Sequence, residues 1–320
     1  MLLLCSYQLC SFPLVHVLRL DSITTAHSSL IAIMHHIPPW VSTLDSCIAQ
    51  SQQKTFTFCT ISQDNMPKAR TCKFRSWLFN DSSTGVVLFT ADKRSSKIND
   101  LAHQNGKFEA CFYFQHHGVQ LRLSGFTEIL SSHQYPSLMD LSRRNNFTTH
   151  PPSPSTTPTF FPMDATSLSY DNHSHDHHYQ QQQFVRRLSV PPPSDKYPVV
   201  SPGFKATHDI YSYHVTQLPA PTPDEWLAEY YRVWSTIRPA TKDKFKRPPP
   251  GDYVSAQSAA LLDSISRGVD GRSLQMSLDN FTVMVMFVNH ADVLRLGPAN
   301  QRHLYHRAND DEWVEETVCP

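Results

Sequence analysis

No two cysteines in this sequence stand in C-x-x-C spacing. The seven that exist (Cys5, Cys10, Cys47, Cys59, Cys72, Cys111 and Cys319) are scattered and odd in number. That pattern offers neither a disulfide framework nor a zinc site, and it predicts a reducing, cytoplasmic setting. An excess of one charge is also missing: Lys plus Arg and Asp plus Glu both number 28, and the pI is about 7.3. No overall field therefore exists for gripping nucleic acid or an anionic membrane. No run reaches the roughly 18 to 20 apolar residues that a bilayer-spanning helix needs. The apolar N-terminus, MLLLCSYQLCSFPLVHVLRLDSITTA, has no basic residue before Arg19, so the charged start of a secretory signal is lacking. Residues 1–37 read as a disordered extension, a transit segment or the product of a start codon placed too far upstream.

What is present begins at residue 38. PPWVSTLDSCIAQSQQ predicts a helix capped by Ser42, with Leu44 and Ile48 on one face. Four strand-like runs follow, KTFTFCTIS, ARTCKFRSWLF, GVVLFTAD and KFEACFYFQ, and a fifth, GVQLRLSGFTEIL, starts after the turn signal HHG. Between the third and fourth, KRSSKINDLAHQ predicts a short helix with Ile98 and Leu101 facing inward. Successive strands with one helix among them predict an antiparallel barrel or sandwich, mainly β with flanking helices. Cys59, Cys72 and Cys111 read as buried small hydrophobes.

From 146 to 200 the composition shifts to Pro, Ser, Gln and His, with apolar residues too sparse to offset the entropy of ordering. This reads as a disordered insertion within one folded domain made of 38–145 and 201–320. HSHDHH (His173 to His178) lies in this tract without neighbours to fix its rings, so a functional metal site is not expected. RRLS at 186–189 fits a basophilic kinase target. Beyond the tract, TPDEWLAEYYRVW predicts an amphipathic helix with a capping box, Thr222 to Glu225. Trp226, Tyr230 and Trp234 read as its core stripe. SAQSAALLDSIS predicts another helix. FTVMVMFVNHADVLRLG, broken near Asn289, and RHLYHRANDDEWVEETVCP predict two closing strands. These elements are too few for a core of their own and would complete the first sheet.

Arg70 and Arg75 place one cation on each face of a half-buried strand, where an unpaired charge costs several kcal/mol or more. Taken alone, they could be edge-strand charges that discourage aggregation. Three further features point to an anion: Phe89-Thr90 at the end of the next strand, Arg94, Ser95, Ser96 and Lys97 at a helix start, and Gln120 on the fifth strand. Guanidinium forks suit phosphate oxygens. Spacing thus predicts a phosphate-bearing ligand on a barrel.

ARTCKFR, LFTADKRSSK, VQLRLSG, SAQSA and QRHLY, in this order, resemble the pyridoxamine 5′-phosphate oxidase superfamily, specifically its Alr4036-like FMN-binding branch of fungal type. The resemblance implies an FMN-binding split β-barrel and a homodimer with the flavin at the subunit interface. It implies cofactor contacts from Arg70, Arg75, Thr90, Ser96, Lys97 and Gln120, with Gln257, Ser258 and Arg302 reaching the flavin of the other subunit. Arg238 and Trp234 match substrate-side positions, and a pyridoxine vitamer phosphate is the implied substrate. Departures fall on that side: Pro298 and Asn300 stand where the family has an Arg-x-His, and Asp292 stands where it has a tryptophan. No catalytic base is identifiable. The expected function is an FMN-dependent oxidoreductase. The alternative is a non-catalytic protein that binds FMN or a phosphate ligand, and a weaker one is a scaffold acting through the 146–200 tract.

Overall fold

The computed structural model describes residues 37–136, 199–214, 217–269, 271, 274–308 and 312–320. The expected N-terminal extension, HSHDHH, RRLS and most of the Pro-rich insertion lie outside these residues. The described chain forms α1 (Trp40–Gln50), β1 (Thr55–Ile61), β2 (Pro67–Trp77), β3 (Val86–Asp92), α2 (Ser96–His103), β4 (Lys107–Phe114) and β5 (Val119–Leu130). After the insertion come α3 (Pro202–Thr207), α4 (Pro223–Ser235), α5 (Pro239–Lys242), α6 (Ala256–Ser266), α7 (Leu274–Asn280), β6 (Phe281–Arg295), β7 (Gln301–Arg307) and β8 (Trp313–Val318).

Six antiparallel strands close a barrel in the order β3-β2-β1-β4-β5-β6, with β6 returning to β3. Closure depends on β6, a strand of 15 residues that pairs with β5 along most of its length. Its first half pairs with β3, from Phe281↔Asp92 to Phe287↔Val86, and its second half with β7, from His290↔His306 to Arg295↔Gln301. The break expected near Asn289 is therefore a change of partner within one continuous strand. The closing segment, expected as one strand, is the hairpin β7–β8. At the hand-over, the β5–β6 register shifts between Ser124 and Gly125. A Cβ on Gly125 would sit 2.0 Å from the Phe287 carbonyl oxygen, so only glycine lets the strands pass this closely.

Two cores result. Alternate residues of the strands, among them Phe56, Phe58, Phe89, Phe112 and Leu121, fill the barrel, and α1 plugs it with Trp40, Leu44 and Ile48. Ser42 does not cap α1: the helix starts at Trp40, after Pro39, and the Ser42 hydroxyl donates within the first turn to the Pro39 carbonyl. The second core lies outside the barrel wall, where Trp226, Tyr230, Val233 and Trp234 of α4 cover Leu88, Val283 and Val285. β3 is covered on both faces, which is why VVLF reads as an unbroken apolar run. The Thr222–Glu225 capping box forms as expected. None of the residues of α6 is buried, which among the longer helices sets it apart from α1, α2 and α4; the short α3 and α5 share the feature.

One irregularity in β2 bears on function. Phe74 faces Phe89 and Ser76 faces Leu88, so Arg75 is an extra residue, a β-bulge. The bulge lets Phe74 and Trp77 both face the barrel core.

Candidate functional site

The ladder between β2 and β3 spans only Phe74 to Trp77, so before Phe74 the two strands part. Helix α2 packs on β1 beside this opening, and the first group of polar residues joins it to β1 and β2. Arg70 Nη2 donates to Asp100 Oδ2 at 3.0 Å, and its Nη1 donates to Thr60 Oγ1 at 2.6 Å. Thr60 in turn donates to Asp100 at 2.8 Å. The Arg70 charge is thus answered from within the chain. Lys97 Nζ donates to Ser95 Oγ at 2.8 Å, and Ser95 donates to the Asp92 carbonyl at 2.6 Å. Burial pushes the Lys97 ammonium below the ordinary lysine range. The neighbouring Cys72 opposes this, Arg70 reinforces it, and Asp92 and Asp100 oppose it further. Ser96 is exposed at the first turn of α2.

Arg75 and Thr90 make a second group: Arg75 Nε donates to Thr90 Oγ1 at 3.1 Å across β2 and β3. Burial pushes the Arg75 guanidinium below its ordinary range. Among the described residues neither Arg75 nor Lys97 has a carboxylate at ion-pair distance. Arg94 is turned elsewhere. It forks onto Asp92 and reaches the Phe245 and Arg247 carbonyls, pinning the proline-rich corner before α6.

The third group runs over β5, β6 and β7. Asp292 accepts from Arg302 twice, at 3.0 and 2.8 Å, and from Arg122 Nε at 3.1 Å and also Nη2. Burial would raise the Asp292 carboxyl, but hydrogen bonds and charge from Arg302 and Arg122 outweigh it and hold the carboxyl below the usual range. Gln120, half-buried, lies two residues along the same face from Arg122. A cleft of about 210 Å³ adjoins the clamp, lined by Glu109, Arg122, Ser124, His290, Tyr305 and His306. The rings of His290 and His306 lie 6.3 Å apart, and burial first, then His306, pushes His290 below the ordinary histidine range.

The remaining expected residues lie apart from these groups. Gln257 and Ser258 sit in the first turn of α6, where Ser258 bonds its own cap, Ser255. Arg238 is exposed at the start of α5. Trp234 is packed against Phe281 and Phe245 in the second core, with Lys242 Nζ over its ring at 4.5 Å, so its face is not open to a ligand. Cys59, Cys72 and Cys111 are half-buried, not buried as expected, and burial raises each thiol. Asp100, Thr60 and Arg122 have no role in the sequence reading. A hint existed for Asp100, which follows Lys97 by three residues on one helix, but cross-strand partners such as Thr60 and Asp292 leave no local signal.

Known proteins resemble this chain in sequence and fold. Residues 37–131 match the family described as pyridoxamine 5′-phosphate oxidase, FMN-binding domain. Over these residues the chain is similar to the pyridoxamine 5′-phosphate oxidase superfamily. A Saccharomyces cerevisiae relative, "Uncharacterized protein YGR017W", is 28% identical over 311 residues, covering 89% of this chain and 99% of its own. A crystal structure from Nostoc punctiforme PCC 73102, described as a pyridoxamine 5′-phosphate oxidase-related, FMN binding protein, matches with a TM-score of 0.50 at 17% identity. The match covers 89% of this chain and 100% of that one. That likeness is one of fold, and the fold is the FMN-binding split barrel.

Proposed function

We propose that the protein binds FMN, with the phosphate near Arg75 and Lys97, and acts as an oxidoreductase of the pyridoxamine 5′-phosphate oxidase type on a small molecule. The observation that carries this reading is a pair of desolvated cations with no carboxylate at ion-pair distance among the described residues. Holding an unpaired charge away from water is costly, and a bound phosphate removes that cost. The residues therefore fit the group. Arg75, Lys97, Thr90 and the amide groups at the start of α2 would hold its phosphate. Arg70 and Ser96 would support them, and Gln120 would meet the ring. FMN, when bound, supplies a two-electron acceptor. The chain's own residues bind and orient it.

In this reading the functional unit is a homodimer. The absence of any fully buried residue in α6 supports it: a helix whose Leu261, Leu262 and Ile265 are only half-buried within one chain fits a second copy. Gln257, Ser258 and Arg302 would then serve the partner's flavin. A changed substrate, or a binding role without turnover, is favoured over oxidation of a pyridoxine vitamer phosphate by the turn between β6 and β7. There the Asn300 side chain accepts from the Gly297 amide at 3.1 Å and closes its own turn.

Titration of the purified protein with FMN, followed by flavin fluorescence, tests the cofactor. Saturable binding is expected, weaker for riboflavin, which lacks the phosphate. A protein that is colourless and takes up no FMN refutes the proposal. Anaerobic mixing of the FMN-loaded protein with pyridoxamine phosphate or pyridoxine phosphate then separates the vitamers from other substrates, since bleaching of the flavin band reports electron transfer.

A further inference from the structure

Arg75 is the residue thrown out by the bulge in β2, and the bulge is held from the far half of the chain. Glu229 of α4 is buried, with its side chain 1% exposed. Its Oε2 accepts from Arg232 Nε at 2.6 Å, and its Oε1 accepts from Arg232 Nη2 at 2.7 Å and from the Phe79 amide at 2.8 Å. The same Arg232 Nη2 donates to Ser76 Oγ at 2.8 Å. Phe79 itself sits in the left-handed region, with φ of 54°. An ion pair on α4 therefore grips β2 on the residue next to Arg75 and at the sharp turn that ends the strand.

Resting on the FMN reading above, we infer that Glu229 and Arg232 are positioning residues for the phosphate site: through Ser76 they fix the bulge that aims the Arg75 guanidinium. A bulge re-aims one side chain at the expense of a regular ladder, and it persists only where something holds the extra residue. Here Phe74 and Trp77 anchor the inward side, and Ser76 is the outward anchor. Thr90 then meets the Arg75 Nε, which leaves the two terminal nitrogens to face a ligand. A guanidinium recognises phosphate by its fork, so its orientation matters as well as its charge. Neither Glu229 nor Arg232 contacts the ligand in this scheme.

Replacing Glu229 or Arg232 breaks a buried pair and could unfold α4, so the test uses Ser76→Ala, which removes one hydroxyl, and Ser76→Thr, which keeps it. Kd is measured for FMN and for riboflavin on the full chain, with Arg75→Ala alongside. Ser76→Ala is expected to weaken FMN about three- to tenfold, the range of one hydrogen bond, with riboflavin affinity and Tm unchanged. Ser76→Thr should restore FMN binding. Exchange of the Arg75 Nε proton, followed by NMR without ligand, should speed up in Ser76→Ala. Equal losses for FMN and riboflavin, or none, together with an unchanged Nε exchange rate, overturn the inference while Arg75→Ala still lowers the FMN preference. If Arg75→Ala leaves that preference intact, the phosphate role of Arg75 fails, and the positioning role fails with it.

Discussion

Arg70 and Asp100 form an ion pair at 3.0 Å at the opening of the barrel, and Thr60 bonds both partners. Arg75, five residues later on the same strand, has no such carboxylate among the described residues. In the proposed reading Arg70 is held by the fold and supports the site, while Arg75 is left to meet the ligand. Arg70→Ala leaves a buried carboxylate without its cation and is expected to lower stability by about 1–3 kcal/mol, seen as a lower urea midpoint. Arg70→Ala/Asp100→Asn should recover much of that loss. Arg75→Ala removes a desolvated charge instead, so its unfolding midpoint should stay level or rise while FMN preference over riboflavin falls.

Lys97 gives the site a pH signature. Burial holds its ammonium below the ordinary value of about 10.4, and a bound phosphate favours the charged form and raises it again. FMN binding should therefore take up a proton between the free and bound values, and FMN affinity should fall as pH rises through that window. Riboflavin binding should not share this fall. Calorimetry in two buffers of different ionisation enthalpy measures the uptake, which Lys97→Gln should abolish. Without ligand the sign runs the other way. The unfolded chain binds more protons than the folded one in this window, so stability rises with pH across it.

Much of the fold was legible because its signals are local. Alternation marked the strands, Thr222 and Glu225 marked a helix start, and the apolar stripe of α4 marked a core face. What escaped the sequence was pairing. Nothing near Asn289 says that β6 keeps its course and trades β3 for β7. Nothing in ARTCKFRSW says that Arg75 is an inserted residue, although Trp77, out of phase with Phe74, is its trace. The site divided in the same way. The cations were legible as types, but their counter-charges were not, because Asp100 and Asp292 reach them across elements. For this reason Arg70 and Arg75 look equivalent in the sequence and differ in the fold.

Gly125 tests the strand hand-over. A methyl group there would lie 2.0 Å from the Phe287 carbonyl oxygen, an atom of the β6 backbone that cannot move without breaking the pairing beside it. Gly125→Ala is expected to destabilise at the upper end of the overpacking range, about 3 kcal/mol or more, with loss of soluble protein. At Gly251 a methyl group would meet nothing within 4 Å, but the φ of 99° disfavours any side chain, so Gly251→Ala should cost only the backbone strain. Thermal melts of the two variants should differ widely.

Asp292 holds two guanidinium groups at once, and its removal separates their roles. With Asp292→Asn, Arg122 and Arg302 keep their charges and lose the negative charge they share, with one acceptor oxygen replaced by a donor, so they repel where they were joined. Both arginines are about a third exposed or more, so solvent screens the clamp. A modest loss of stability at neutral pH is therefore expected. Its pH dependence follows from the depressed carboxyl. The stabilisation from Asp292 is complete above the unfolded carboxyl value of about 3.9 and fades as pH falls through the lower folded value. Urea melts of the wild type and Asp292→Asn should thus differ at pH 7 and converge in acid. The freed Arg302 also gains anion-binding capacity. If it serves the partner's flavin, Asp292→Asn should change FMN affinity and leave the pH dependence set by Lys97 in place. A gap between the melts that persists unchanged into strong acid would show that the clamp is not what stabilises this corner of the barrel.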